Sequence, residues 1–106
     1  MAQNFVVSKV CASKVTVFLK PSCPYCIRAK DILQKCTFKE GHLQCINIAG
    51  LDILDSVQDY FLQTTGERTV PRIFIGEKCI GGCSDLVALE GSGELEKMLI
   101  SIGALK

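Results

Sequence analysis

Two cysteines three residues apart are the residues of this sequence best suited to chemistry. Cys23 and Cys26 enclose Pro24 and Tyr25, after an apolar segment and at the start of a segment with helical periodicity. Residues i and i+3 lie on one side of a first helical turn, so the two sulfurs can form a disulfide with little backbone movement. This spacing, between a predicted strand and a predicted helix, predicts thiol–disulfide redox chemistry.

The first of the two sulfurs is predicted to be the more acidic. At a helix N-terminus, unpaired N–H groups and the helix dipole favour the thiolate of Cys23 and lower its pKa. Lys20 and Arg28 would add positive potential. Pro24 suits the first helical turn, because its missing N–H is not needed there.

A metal site and a pair of inert core thiols are the alternatives to redox chemistry. A zinc site would need a second pair of ligands, for which Cys79, Cys83 and the single His42 are the candidates. Cys79 falls in a predicted strand and Cys83 follows two glycines, so the sequence does not guarantee that these residues meet. We therefore favour redox chemistry and expect no metal.

Two further segments are suited to holding a ligand. Thr69–Pro71 precedes a predicted strand, where a cis bond at the proline would leave the Val70 backbone free to pair with an extended peptide. Gly81–Asp85 places flexible backbone at a helix N-terminus, where a carboxylate can bind. A plain strand start and a plain capped turn are the simpler interpretations. Together with the cysteine pair, the segments indicate a redox site beside a ligand groove.

The elements that must position these segments alternate between helix and strand. Apolar periodicity and breaker residues predict helices over Asn4–Val10, Pro24–Cys36, Leu54–Thr65, from Ser84 or Asp85 to Leu89, and over Glu94–Ile102. Strands are predicted over Lys14–Leu19, Leu43–Ile48, Arg72–Ile75 and Lys78–Ile80, the last two joined at Gly76-Glu77 by a type II′ turn. The order predicts an α/β fold, with a small mixed sheet and helices on both faces.

Composition excludes several classes of protein. With 106 residues, 48% of them hydrophobic, and 12 basic against 11 acidic residues, we expect one globular domain over 1–106. The net charge of +1 gives no reason to expect a nucleic-acid partner. We find neither a secretory signal nor an apolar run long enough to span a membrane. The seven cysteines are an odd number, so they cannot all pair within the chain, and we expect mostly reduced thiols in an intracellular protein.

Cys-Pro-Tyr-Cys, Thr-Val-Pro and Gly-Gly-Cys-Ser-Asp, in this order, closely resemble the dithiol glutaredoxins, or thioltransferases, of the vertebrate cytosolic type. The resemblance extends over essentially the whole chain. It implies a thioredoxin-like fold with a four-stranded mixed sheet flanked by helices on both faces. The implied activity is reduction of protein–glutathione mixed disulfides, with glutathione as electron donor and co-substrate. The implied setting is the cytoplasm, with glutathionylated cytosolic proteins as substrates and ribonucleotide reductase as a further expected client. Nothing in the sequence demands more than a monomer.

The resemblance also assigns roles to individual residues. Cys23 matches the nucleophile and Cys26 the resolving cysteine. The implied glutathione site comprises Lys20 and Gln58 near the glycine carboxylate, Tyr25 in the groove, Thr69, Val70 and Pro71 at the cysteinyl part, and Gly82, Cys83, Ser84 and Asp85 at the γ-glutamyl end.

One position departs from the family pattern. Ile27, directly after Cys26, stands where relatives often have a basic residue. A missing cation beside the thiolate should weaken its stabilisation, although the helix terminus remains. We expect the mechanism to be unaffected.

Three other functions remain as alternatives. A thioredoxin-type reductase is expected to have Trp-Cys-Gly-Pro-Cys at this site, whereas this chain contains no tryptophan. Relatives that share an iron–sulfur cluster between subunits mostly have a small residue where Pro24 stands here. A non-catalytic binding domain would keep its function without either thiol of the motif.

The remaining cysteines have separate expectations. Cys36 and Cys45 fall at apolar-periodic positions and are predicted to belong to the core. Cys83 borders the implied groove and is a candidate for glutathionylation or intermolecular pairing. No role follows from the sequence for Cys11 or Cys79.

Overall fold

A four-stranded sheet with helices on both faces organises the chain, in a computed structural model that describes residues 2–106. Met1, where the predicted domain begins, lies outside the described residues. The elements in chain order are α1 (Ala2–Lys9), β1 (Val15–Leu19), α2 (Pro24–Gln34), β2 (Leu43–Asn47), α3 (Leu54–Thr65), β3 (Arg72–Ile75), β4 (Lys78–Gly81), α4 (Cys83–Ser92) and α5 (Glu94–Ser101). Every predicted element is present, and the predicted mixed sheet is confirmed.

The strand order is β2-β1-β3-β4, which places β1 and β3 in the middle of the sheet. β1 runs parallel to β2, with Val17 opposite Cys45, and antiparallel to β3, with Val17 opposite Ile73. The parallel pair is joined through α2, as a βαβ unit requires. The motif cysteines therefore follow the carboxyl end of a central strand.

Alternate residues of β1 supply two separate cores, which is why this strand is apolar on both faces. Val15, Val17 and Leu19 pack with α2, α4 and α5 on one side of the sheet. Phe18 packs on the other side with residues of α1 and α3, and its ring centroid lies 5.3 Å from that of Phe61 and 5.8 Å from that of Phe74. The predicted helices on both faces are thus confirmed.

The backbone at two glycines, Gly66 and Gly76, has the conformation that the sequence predicts. Gly66 ends α3 with φ of +90° and donates its N–H to the Leu62 carbonyl, as expected of a C-terminal cap. Gly76 has φ of +64°, and no residue other than glycine has a positive φ between residues 2 and 106. A type I′ turn needs positive φ at both central residues, so the Gly76-Glu77 hairpin fits the predicted type II′.

The start of α4 differs from the prediction. Neither Ser84 nor Asp85 is the N-cap; Gly82 takes this position, and the helix continues past Leu89 to Ser92. Asp85 lies in the first turn, and its Oδ2 accepts the Gly82 N–H at 2.9 Å. A carboxylate in the first helical turn can reach back to the capping residue, so Asp85 stabilises this helix end without being its cap.

Candidate active site

The N-terminus of α2 holds Cys23 as its capping residue. Cys23 is extended, with φ of −84° and ψ of 117°, and its sulfur accepts the backbone N–H of Cys26 at 3.3 Å. A side chain that accepts from the first turn satisfies one of the donors that a helix start leaves unpaired. The sulfur thus performs the task that a serine or aspartate oxygen performs at other helices.

Opposing effects act on the Cys23 thiol, and their net result lowers its pKa. Partial burial raises the pKa, whereas hydrogen bonds from Cys26 and Tyr25 and the positive charge of Lys20 lower it. The predicted direction of the shift is confirmed despite the uncharged Ile27. Of the two cations expected to help, Lys20 contributes, while Arg28 lies exposed on α2 and is not among the groups that shift the pKa.

Cys26 has the opposite environment. It is 2% exposed, and burial, together with its contact with Cys23, raises its pKa to about 12. The two thiols thus differ: the pKa of Cys23 is lowered, whereas Cys26 stays protonated over the physiological range. All seven cysteines are free thiols.

A groove of about 410 Å³ opens beside Cys23 between the loop before β3 and the start of α4. Eight of the residues implied by the family resemblance line this groove: Tyr25, Thr69, Val70, Pro71, Gly82, Cys83, Ser84 and Asp85. Val70–Pro71 is a cis peptide bond, the arrangement considered for this proline on the sequence alone, and the Cys23 thiol lies 3.9 Å from the Val70 carbonyl oxygen. The cysteine motif, the Thr69–Pro71 segment and the start of α4, which are distant in the sequence, therefore meet at the sulfur of Cys23.

Lys20 and Gln58, the other two residues implied by the resemblance, lie together but are not among the residues that line this groove. The Nζ of Lys20 lies 3.5 Å from the Oε1 of Gln58, and the Gln58 Nε2 donates to the Arg68 carbonyl at 2.9 Å. Gln58 is only 8% exposed. This carboxamide therefore joins α3, the end of β1 and the loop that carries Thr69.

Glu67 and Arg72 also line the groove and were not predicted. Arg72 is 4% exposed at the start of β3, and its Nη2 lies 3.6 Å from the Oε2 of Glu67. A signal was available in the sequence, because a charged residue that begins a fully apolar strand must be either paired or functional. Nothing in the sequence distinguishes Glu67 from an ordinary loop residue.

The zinc alternative is not supported by the positions of the other cysteines. Cys83 packs in the same core as Cys26, whereas Cys79 packs on the opposite side of the sheet. Between residues 2 and 106, no three His, Cys, Asp or Glu side chains come close enough to hold a metal ion. The sheet thus separates the ligand pair that zinc would need.

Burial distinguishes the remaining cysteines. Cys36 and Cys45 are half-buried and pack against the core on the α2 side, so they belong to it in part. Burial raises the pKa of both thiols. Cys83 is 6% exposed, which disfavours the modification that its place beside the groove suggested.

No helix of the described chain has the length and apolar character needed to cross a membrane.

Comparisons with known proteins agree with this site. The Glutaredoxin family model matches residues 15–80. The Homo sapiens protein named Glutaredoxin-1 is 54% identical over 106 residues, which cover all of both chains. A crystal structure of a buckwheat glutaredoxin–glutathione complex superposes with a TM-score of 0.91 at 35% identity, over 100% of this chain and 94% of that one. Oxidized glutaredoxin 2 from Chlamydomonas reinhardtii has a TM-score of 0.87 at 39% identity, over 98% and 95% of the two chains.

Proposed function

Because this chain belongs to the glutaredoxin family, we propose that Cys23 is the nucleophile and Cys26 the resolving thiol of its reaction. The activity is glutathione-dependent thiol–disulfide oxidoreduction, with glutathione as co-substrate. One observation supports the assignment above all: the Cys23 sulfur accepts a helix-terminal N–H at 3.3 Å, while its partner thiol is buried. Of the two sulfurs, only the first combines thiolate character with access to a substrate.

The reaction on a glutathionylated protein proceeds by two exchanges. The Cys23 thiolate attacks the glutathione sulfur of the mixed disulfide, the sulfur–sulfur bond breaks, and the protein sulfur leaves as a thiolate that takes up a proton. Cys23 then carries glutathione. A second glutathione thiolate attacks that glutathione sulfur, which releases glutathione disulfide and restores the Cys23 thiolate. Each step follows the ordinary rules of thiolate exchange.

Cys26 acts when the substrate is a protein dithiol in its oxidised form. The first attack joins Cys23 to one client sulfur and reduces the other. The Cys26 thiol then loses its proton and displaces the client, which closes the Cys23–Cys26 disulfide. Its pKa of about 12 makes this step dependent on a base or on a change of environment after the first attack.

Glutathione binding follows from the chemistry of the groove. Val70, beside Thr69 and Pro71, offers backbone N–H and C=O groups to the cysteinyl part, and Tyr25 covers it. The N–H groups at Cys83 and Ser84 bind the γ-glutamyl carboxylate at the start of α4. Asp85 lines the groove and can pair with the ammonium group through Oδ1, because Oδ2 accepts the Gly82 N–H. Lys20 and Gln58 take the glycine carboxylate.

The setting is that of a small cytoplasmic reductase. We infer that residues 1–106 act as one domain and as a monomer, since the cysteine pair, the groove and the Lys20–Gln58 pair come from the same chain. Glutathionylated cytosolic proteins are the substrates that this site fits, and ribonucleotide reductase is a further client that we propose.

The test is glutathione-coupled reduction of a mixed-disulfide peptide by wild type, Cys23→Ser and Cys26→Ser. We expect Cys23→Ser to lose at least about a thousandfold in rate, since the covalent step disappears, and Cys26→Ser to remain active. Cys11→Ser, which removes a half-exposed thiol from the α1–β1 loop, is the matched control and should equal wild type. An active Cys23→Ser enzyme, or a wild type that needs another reductant, would contradict the proposal.

A further inference from the structure

Arg72 has an unusual electrostatic position for a strand residue. Its side chain is 4% exposed, and guanidinium stays charged at every physiological pH. A buried charge is unfavourable unless a counter-charge or hydrogen bonds compensate it. The Nε donates to the Pro71 carbonyl at 3.3 Å and Nη1 donates to the Thr65 hydroxyl at 3.4 Å. Both of these hydrogen-bond acceptors are uncharged oxygens.

The counter-ion of Arg72 is weakly held. Within residues 2–106, only the carboxylate of Glu67 lies within 4 Å of the guanidinium, through one contact of 3.6 Å. Glu67 is 67% exposed, and its Oε2 also accepts from the Thr69 hydroxyl at 3.4 Å. A solvated carboxylate in single contact leaves much of the buried positive charge uncompensated.

That charge lies directly against the start of α4. A methyl group placed on Gly82 would meet the Nη2 of Arg72 at 3.0 Å and the Pro71 carbonyl oxygen at 3.3 Å. Gly82 is the N-cap of α4, whose first-turn N–H groups carry the positive end of the helix dipole. Two independent positive sources, one from a side chain and one from the backbone, therefore meet at one end of the groove.

We propose that Arg72 is the positioning residue for the γ-glutamyl carboxylate, and that Glu67 is the internal anion that competes with this carboxylate for its charge. This inference rests on the proposed function, which places that carboxylate at α4. Arg72 acts beside Gly82, where its guanidinium adds positive potential to the helix start that binds this carboxylate. The result is selectivity for disulfides that carry a γ-glutamyl carboxylate over disulfides that lack one.

The test compares two mixed disulfides of one reporter peptide. The first carries glutathione and the second carries glutathione whose γ-glutamyl α-carboxylate is an amide. Single-turnover transfer to Cys23 is measured in a Cys26→Ser background, so that the enzyme–glutathione mixed disulfide accumulates. Arg72→Met, Arg72→Lys and the control Lys97→Met are compared, the control having the same loss of charge at an exposed site.

The expected result is a loss of selectivity, not merely of rate. The parent enzyme, which carries only Cys26→Ser, should react faster with the unmodified glutathione disulfide (the carboxylate form) than with the amide form. The expected preference is about tenfold or more, the usual effect of a charge-assisted contact. Arg72→Met should slow transfer from the carboxylate form by about tenfold and leave transfer from the amide within about twofold. Arg72→Lys should restore part of the preference, and Lys97→Met should keep all of it.

Two further variants keep the test decisive if Arg72→Met folds poorly. Glu67→Gln should increase the preference for the carboxylate form, since it removes the competing anion. Gly82→Ala should reduce it, because the backbone at φ of −108° accepts alanine while the methyl group displaces the guanidinium. Opposite signs from two neighbouring substitutions would not arise from general destabilisation.

The outcomes separate the two proposals. If the parent enzyme transfers both forms equally, the carboxylate subsite at α4 is wrong and the role of Arg72 is overturned with it, although Cys23 chemistry stands. If the parent enzyme discriminates and Arg72→Met discriminates equally, the subsite stands and the inference about Arg72 is overturned. Equal slowing of both forms by Arg72→Met would also overturn it, because a merely structural role predicts that pattern.

Discussion

The sulfur of Cys23 lies 3.3 Å from the backbone nitrogen of Cys26, so the second residue of the motif stabilises the first through its main chain. The same residue buries its own thiol, whose pKa rises to about 12 while that of Cys23 falls. Two identical side chains thus acquire opposite protonation preferences, because one caps a helix and the other enters the core.

The first prediction concerns alkylation by iodoacetamide. At pH 7 we expect Cys23 to react at least about tenfold faster than Cys26, since the thiolate is the reactive form. Peptide mapping by mass spectrometry at short reaction times measures the ratio. Preferential labelling of Cys26 would show that the assignment of the two pKa shifts is reversed.

The second prediction is a pH dependence of stability. The pKa of Cys26 is higher in the folded than in the unfolded chain, so its contribution is complete below the ordinary thiol value of 9.0 and is lost as the pH rises toward about 12. The stability difference between wild type and Cys26→Ala should therefore shrink above pH 9, by about 1 kcal/mol per pH unit. Urea unfolding at pH 8 and pH 10 measures it, and a constant difference would contradict the shift.

The third prediction separates two cations near the motif. Lys20→Met should raise the pKa of Cys23, because the positive charge of Lys20 lowers it. Arg28→Met, which removes the same charge from the exposed side of α2, should leave that pKa unchanged. Thiolate absorbance at 240 nm in a Cys26→Ser background, followed across pH, measures both. Equal effects would indicate long-range steering by net charge instead of a local contact.

The fourth prediction concerns Gln58, which is buried on α3. Gln58→Leu removes the acceptor for Lys20 and the donor to the Arg68 carbonyl, and should destabilise the fold by about 1–3 kcal/mol. Gln63→Leu, on the exposed side of the same helix, should change stability by no more than about 0.5 kcal/mol. Urea unfolding compares them. Equal stabilities would mean that water replaces the buried carboxamide without penalty.

The fifth prediction contrasts Gly81, which precedes the N-cap of α4, with Gly91, which lies in the last turn of that helix. Gly81 has φ of +115°, and a methyl group there would clash with the Asp85 carboxylate, so Gly81→Ala should destabilise the fold by about 2 kcal/mol or more. Gly91 lies in α4 with nothing within 4 Å of an added methyl group, and Gly91→Ala should stabilise it by about 0.5–1 kcal/mol. Thermal unfolding of both variants gives the signs. Gly81→Ala should also slow glutathione-coupled turnover, because Asp85 would move.

The order of elements, the type II′ hairpin and the position of the cysteine pair at a helix start were all predictable from the sequence. Each of these depends on local chemistry: apolar periodicity, a glycine at a positive φ, or a three-residue spacing on one helical turn. The roles of Lys20 and Gln58 at the glycine carboxylate came from the family resemblance and stay a prediction; the structure shows that their side chains lie 3.5 Å apart.

The remaining features of the site depend on contacts between residues that are distant in the sequence. Gly82 is the N-cap of α4 because Asp85 reaches back to its amide. The residue types of this segment do not show which of Gly82, Ser84 and Asp85 takes the N-cap position. Arg72 became part of the groove because β3 begins beside Gly82, a proximity set by the sheet and not by residues nearby in the chain. The burial of Cys83 and the separation of Cys79 from Cys26 likewise follow from the side of the sheet on which each lies. Packing between segments that are remote in the sequence determines the burial and the electrostatic environment of a site. A sequence pattern predicts only the contribution of neighbouring residues to that environment.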